Sequence, residues 1–249
     1  HLIQRDMSLN KLLDTLKNDQ LEGISVTIPE GDNIEEIANI LESKGVCTAD
    51  EFKSGIKNYP MPSYVKNTTG KRYELEGYLF PDTYRIPKDA TVNDIIEIML
   101  QRFEYMWKKA TQECNIDVNN DNIESIITVA SMIEKEATLD EERSKIASVI
   151  YNRLKAGMPL QIDATVIYAL GYHVEQVLYS HLEVNSPYNT DMYKGLPEGP
   201  ICNPGYDSIV GALTPERTDY LYYLVESEGK HYFTNSHEDF ENKKQELGY

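Results

Sequence analysis

The chain is predicted to be α+β, and three observations carry that prediction. Ile24-Ser25-Val26-Thr27-Ile28 alternates apolar and polar residues as a half-buried strand does. Several longer stretches repeat apolar residues at helical spacing, most of them behind an N-cap residue. Residues 220–226 and 231–234 read as a β-hairpin around a turn at 227–230.

Taken in order, Leu9, Leu12, Leu13 and Leu16 predict a first helix. The strand at 24–28 follows, then a turn at Pro29-Glu30-Gly31-Asp32. Ile34, Ile37, Ala38 and Leu41 predict a second helix that stops near Gly45. Thr48 and Glu51 form a capping box for a third. The stretch 58–90 is rich in Pro, Tyr and Gly and is expected to be a structured connection. Thr91 and Asp94 cap a long helix through about Glu113, and Asp121 and Glu124 cap the next, which runs to about Ala137. Another helix covers about 140–156 and stops at Gly157. Short helices and Gly/Pro/Asn loops lead to the hairpin, and a last helix fills about 238–247. The expected division is 1–60, a connection at 61–90, and a mainly helical domain with a minor sheet at 91–249.

Composition narrows the function classes. With 249 residues, 41% hydrophobic and 26% charged, the chain has enough apolar material for a core. Its net charge of −17 excludes a phosphate-backbone binder, whose affinity rests on Lys and Arg, so no nucleic-acid partner is expected. Cys47, Cys114 and Cys202 are far apart and odd in number, so they suggest buried thiols rather than a disulfide framework or a zinc knuckle. The five histidines show no i, i+4 pairing, and neither metal nor cofactor is expected. No apolar run spans a membrane and no signal peptide is present. The abrupt start at His1 is expected of an excised piece of a longer chain. The 18 tyrosines suit either a sugar-binding surface or ordinary half-buried positions.

The chemistry is sought on the helix at 123–137. At about 100° per residue, Ile123, Ile126, Ile127, Ala130, Ile133 and Ala137 share one face. Glu134 and Glu136 point about 160° apart, so they cannot share a task. Glu134 lies at the edge of the stripe, and Glu136 lies beside Val129 and Met132. Both stand at the negative end of the helix dipole, which favours a protonated carboxyl. A general acid needs that shift. Taken alone, either glutamate also fits a surface charge near a helix end.

Longer blocks resolve this ambiguity. The run "VASMIEKEATLDEERSKIASVIYNRLKAGMPLQIDATVIYALG" at 129–171 resembles the YceG-like family of endolytic murein transglycosylases. So do "EGYLFPDTY" at 76–84, "SPYNTDMYKGLPEGPICNPG" at 186–205 and "TDYLYYLVESEGKHYFTNSHEDF" at 218–240. "IPEGDNIEEIANIL" is similar to a LysM-type glycan-binding module, with a faint echo in the segment 6–16.

The resemblance implies a small LysM-like βα module at 1–60 followed by a catalytic domain. It implies a single N-terminal membrane helix outside these residues, an extracytoplasmic location, peptidoglycan glycan strands as substrate and cell-wall synthases as partners. It implies internal cleavage between N-acetylmuramic acid and N-acetylglucosamine, leaving 1,6-anhydro-muramic ends. Its catalytic glutamate, the second of "ASxxEKE", falls on Glu136. The family often has Ser or Thr next, where this chain has Ala137.

One carboxyl suffices for that reaction. A hydrolase usually needs two. Here the sugar's own C6 hydroxyl is the nucleophile, and the glutamate protonates the leaving oxygen and then takes the hydroxyl proton. Polar residues of the matching blocks are candidates to hold the distorted sugar: Gln161, Asp163, Ser186, Tyr188, Asn189, Thr190 and Asn203. Each also fits turn chemistry, with Asp163 as an N-cap for "ATVIYAL" and Asn189 and Asn203 in Asx-type turns. Arg143, Lys145 and Arg153 suit surface salt bridges, and Arg153 also suits orienting Glu136. Two alternatives stand beside the transglycosylase. One is a muramidase-type hydrolase in which Asp163 activates water. The other is a non-catalytic glycan-binding protein of the cell wall.

Overall fold

The computed structural model describes residues 23–66, 68–172, 174 and 176–248. The helix expected around Leu9–Leu16, the echo at 6–16 and His1 lie outside these residues.

Strand β1 (Gly23–Thr27) leads into α1 (Ile34–Ser43). Asn33 caps α1, and Glu36 returns a bond to the Asn33 backbone, closing a capping box. Its buried residues are Ile34, Ile37, Ala38 and Leu41, the stripe visible in the sequence. Helix α2 (Ala49–Asn58) starts at the Thr48–Glu51 capping box. A short strand, β2 (Thr83–Pro87), returns antiparallel to β1, with Gly23 opposite Pro87 and Thr27 opposite Thr83. The unit therefore runs β-α-α-β, and the expected connection supplies its closing strand. Between α2 and β2, Leu75, Glu76, Tyr78 and Leu79 lie deep in the core.

Helix α3 (Val92–Glu113) begins at the Thr91–Asp94 box. Helix α4 (Asn120–Glu136) is capped by Asn119, not by Asp121 as the sequence suggested. The Asn119 side chain reaches the Asp121 N–H, so the chain becomes helical a residue before the acidic pair. Every residue of α4 from Ile127 to Ile133 is buried, as expected of a helix packed on all sides. It packs against α5 (Arg143–Ala156), α6 (Asp163–Leu170) and α7 (Tyr206–Leu213). A 3₁₀ turn at Asp140–Glu142 joins α4 to α5. The hairpin pairs β3 (Tyr222–Ser227) with β4 (Lys230–Thr234), bulged between Val225 and Ser227, and α8 (His237–Leu247) packs on it.

The described residues thus form an α+β fold of eight α-helices and two separate two-stranded sheets. One apolar cluster runs from Val26 in β1 to Leu213 in α7. Fully burying a Leu, Ile or Phe contributes roughly 1.5–3 kcal/mol, so this shared core joins the β-α-α-β unit firmly to the helices. Cys47, Cys114 and Cys202 are free thiols, and Cys202 is wholly buried. Among the described residues no helix is long and apolar enough to cross a membrane.

Candidate active site

Helix α4 ends on its two glutamates, and the structure separates them. Glu134 turns inward. Its Oε2 accepts the Gly205 N–H at 2.9 Å and lies 3.5 Å from Arg143 Nη1. That carboxylate caps the start of α7, where the helix dipole favours it. Arg143 also bonds Asp140 and the Ser208 hydroxyl. Glu134 and Arg143 are therefore committed to packing α4, α5 and α7.

Glu136, the last residue of α4, turns the other way, into a cavity of about 520 Å³. The Tyr223 hydroxyl on β3 donates to its Oε2 at 2.9 Å. Burial pushes the Glu136 carboxyl up, the Tyr223 hydrogen bond pulls it down, the charge of Asp163 raises it and His231 lowers it. The carboxyl stays above the ordinary glutamate range. Burial also holds the Tyr223 hydroxyl well above its usual value, so it remains a donor.

Tyr223 is backed by a buried pair. The His231 ring on β4 meets the Tyr223 ring edge-on, 5.4 Å between centroids. His231 Nδ1 lies 2.7 Å from Glu142 Oε2, and the His231 N–H donates to both Glu142 oxygens at 3.0 and 3.2 Å. The hairpin is thereby pinned to the turn that follows α4. The sequence reading missed Glu142, Tyr223 and His231. The only signal was the strand pairing itself, since β3 shows no clean inside–outside alternation.

Asp163 opens α6 and lines the same cavity. It is not the N-cap: Ile162 holds that position, without a side-chain cap bond. The Asp163 side chain is left facing the cavity, where burial raises its pKa. Beside it Gln161 takes a left-handed φ of 55°, a conformation that L-residues adopt at a cost. The turn is held by its neighbours, since Gln161 N–H donates to Thr190 O, and Ile162 N–H to Thr190 Oγ1 at 3.1 Å.

The other expected contacts lie behind this wall. Asn189 spends its amide on Leu182 O and Val184 O, and its carbonyl on the Asp191 and Met192 N–H groups. Thr190 joins Thr165 and Ile162. Ser186 accepts the Tyr188 N–H, and the buried Tyr188 ring packs on Tyr168 at 4.8 Å. Asn203 accepts from the Gly77 and Leu79 N–H groups and donates to Asp32 O and Glu76. Asn189, Thr190 and Asn203 shape the site from inside, with no polar atom left over for a sugar. Arg153 donates to Leu221 O, Pro159 O and Leu160 O and stacks on Tyr222, tying the hairpin to the loop before α6 rather than orienting Glu136. Lys145 lies over the Phe233 ring.

The remaining lining includes Asn33, Glu35 and Glu36 from the β-α-α-β unit, with Arg72, Lys135, Tyr168 and Tyr172. Both parts of the fold thus meet at Glu136. Another depression, of about 650 Å³, lies beside Ser148, Asn152 and Thr218 and contains no buried acid. Among the described residues no cluster of three or more His, Cys, Asp or Glu side chains is arranged to hold a metal ion.

Comparison with known proteins follows the same lines. A family model described as the YceG-like family matches residues 1–246. An endolytic murein transglycosylase of Bacillus subtilis strain 168 is 36% identical over 257 residues, covering 98% of this chain and 71% of that protein. An endolytic murein transglycosylase of Streptococcus pneumoniae R6 is 31% identical over 269 residues. That match covers 95% of this chain, and the chain spans 48% of the streptococcal protein. The 2.6 Å crystal structure of a YceG-like protein from Listeria monocytogenes superposes with a TM-score of 0.77 at 32% identity, covering 95% of this chain and 81% of that one.

Proposed function

The chain belongs to the YceG-like family, and on that premise we propose that it is an endolytic murein transglycosylase with Glu136 as its catalytic residue. The observation that carries this reading is the Glu136 carboxyl. It ends the central helix, faces a cavity large enough for a sugar, is raised by burial and is held by Tyr223.

In this reading, protonated Glu136 donates to the oxygen between N-acetylmuramic acid and N-acetylglucosamine. The C1–O bond breaks and positive charge develops on the muramyl ring. The muramic C6 hydroxyl then closes on C1 as the Glu136 carboxylate takes its proton. The product carries a 1,6-anhydro bridge, no water is consumed, and Glu136 ends protonated as it began. Burial and the Asp163 charge favour the acid form needed first, and the Tyr223 hydroxyl steadies the carboxylate formed next.

Asp163 supports a second reading. Its carboxylate is not used as a helix cap, and it shares the cavity with Glu136. A carboxylate so placed suits activation of water, which would make the enzyme a muramidase-type hydrolase. The β-α-α-β unit at 23–87 has the order and antiparallel pairing that suit a LysM-like glycan module. The family resemblance also supports an extracytoplasmic position, a membrane helix N-terminal to these residues and cell-wall synthases as partners.

Digestion of uncrosslinked peptidoglycan, with products weighed by mass spectrometry, tests the reading. Internal anhydro-muramic ends are expected from the wild type. Glu136→Gln is expected to lose about 10²–10⁴-fold in rate. Reducing ends, one water heavier, would replace the transglycosylase by the hydrolase.

A further inference from the structure

The cavity that holds Glu136 carries two basic side chains in its lining. Four acids line it, Glu35, Glu36, Glu136 and Asp163, together with two bases, Arg72 and Lys135. The Arg72 guanidinium lies over the Tyr168 ring, its Cζ 4.7 Å from the centroid. Its Nη2 donates to Ala169 O at 3.4 Å, at the carbonyl end of α6, where a helix favours positive charge. Gly171 follows with φ +77°, and a Cβ there would sit 2.8 Å from Nη2. Ring, carbonyl and glycine together hold the guanidinium in place at the cavity.

Among the described residues Arg72 has no carboxylate within ion-pair distance. The acid whose field it shares, Glu76, is turned away, receiving the Ile34 N–H, the Tyr168 hydroxyl and Asn203. Among the described residues the guanidinium makes one hydrogen bond, to Ala169 O, and its planar fork matches a carboxylate. A fork already fixed by stacking loses little freedom when it binds one.

We propose that Arg72 is the anchor of an anion subsite, and that its ligand is a carboxylate carried by muramic acid, on the lactyl group or on the peptide attached to it. This rests on the reading of murein as substrate. Lys135 adds a second positive charge to the cavity lining, and Tyr172, 59% exposed, adds a ring face suited to a sugar. The subsite orients the strand: neutral N-acetylglucosamine units carry no carboxylate, so the muramyl unit is the one drawn to Arg72.

The test separates binding from cleavage by using the Glu136→Gln protein, with and without Arg72→Met. Calorimetry compares three muramyl oligosaccharides: one with a bare lactyl acid, one with a stem peptide, and one with every carboxylate converted to an amide. Amidation is expected to weaken binding about tenfold, the scale of one charge-assisted contact. Arg72→Met should cost the acidic ligand whose carboxylate Arg72 holds the same factor and leave the amide unaffected, while Arg72→Lys keeps part of the preference. The acidic ligand that shows the loss identifies the source as lactyl or peptide. Equal affinity for acid and amide overturns the subsite, even if the wild type cleaves murein. So does a failure of all three ligands to bind. Acid-dependent binding without any cleavage by the wild type would retain the subsite and sink the transglycosylase reading instead.

Discussion

At the scale of residues, the Glu136 carboxyl is set by opposing neighbours, and the opposition is testable. Tyr223 on β3 and His231 on β4 pull its pKa down, and burial and Asp163 on α6 push it up. Tyr223→Phe removes a donor to the carboxylate, so the acid form persists to higher pH. The alkaline limb of the kcat/KM profile is expected to move up by up to about one unit, with kcat falling roughly tenfold and KM nearly unchanged. Asp163→Asn removes a like charge, so the same limb is expected to move down. If both variants shift the limb the same way, or neither does, the electrostatic account of Glu136 fails. The Asp163→Asn products also bear on water: unchanged anhydro ends mean that Asp163 does not activate it. Glu136 was legible in the sequence because a helical wheel separates it from Glu134 and a long matching block surrounds it. Tyr223, His231 and Arg72 were not, since each lies 64 or more positions from Glu136 in the chain and no local pattern marks such a contact.

At the scale of elements, what could be read in advance was what is local. The Thr48–Glu51 and Thr91–Asp94 boxes stand where their residue types put them, because a cap is a bond between neighbours in the chain. Strand β2 was hidden because five residues ending in a proline, inside a Pro- and Tyr-rich stretch, become a strand only through pairing with β1. Asp163 looked like a cap because its side chain suits one, but the Thr190 bonds to residues 161–162 start the helix a residue earlier. The hairpin offers the sharpest test at this scale. Gly229, at φ +79°, sits at its turn, and a Cβ there would lie 2.6 Å from the Thr138 methyl, just beyond α4. Gly229→Ala therefore adds left-handed strain and a clash at the contact that seats the hairpin over Glu136. A loss of about 1–3 kcal/mol is expected in urea denaturation. A fall in kcat together with the alkaline shift of Tyr223→Phe is expected as well. Loss of stability with an unmoved pH profile would mean that the turn does not control Tyr223.

At the scale of the whole molecule, Glu76 links the parts that meet at the cavity. It is 1% exposed, accepts the Ile34 N–H at the start of α1 at 3.2 Å to each oxygen, and receives the Tyr168 hydroxyl of α6 at 3.0 Å. Asn203 reaches it from the loop before α7. Burial pushes the Glu76 carboxyl up to about 8, against the pull of the Ile34 and Tyr168 bonds. An acid whose pKa is higher folded than unfolded binds more protons in the native state. Its contribution to stability is complete below its unfolded pKa near 4.5 and is lost as pH rises through about 8. Asp32, raised to about 6 by burial and by Glu36, acts in the same direction over a narrower window. The protein is therefore expected to be more stable at pH 5 than at pH 8, with a slope of up to about 1.4 kcal/mol per pH unit for each such group. Urea denaturation at pH 5, 6, 7 and 8 reads this slope, and Glu76→Gln, which cannot ionise, should flatten most of it. Stability that rises from pH 5 to 8, or a slope indifferent to Glu76→Gln, would mean that Glu76 is already a carboxylate held by its four bonds. The contact between α1 and α6 would then be an ionic hub rather than a protonated one.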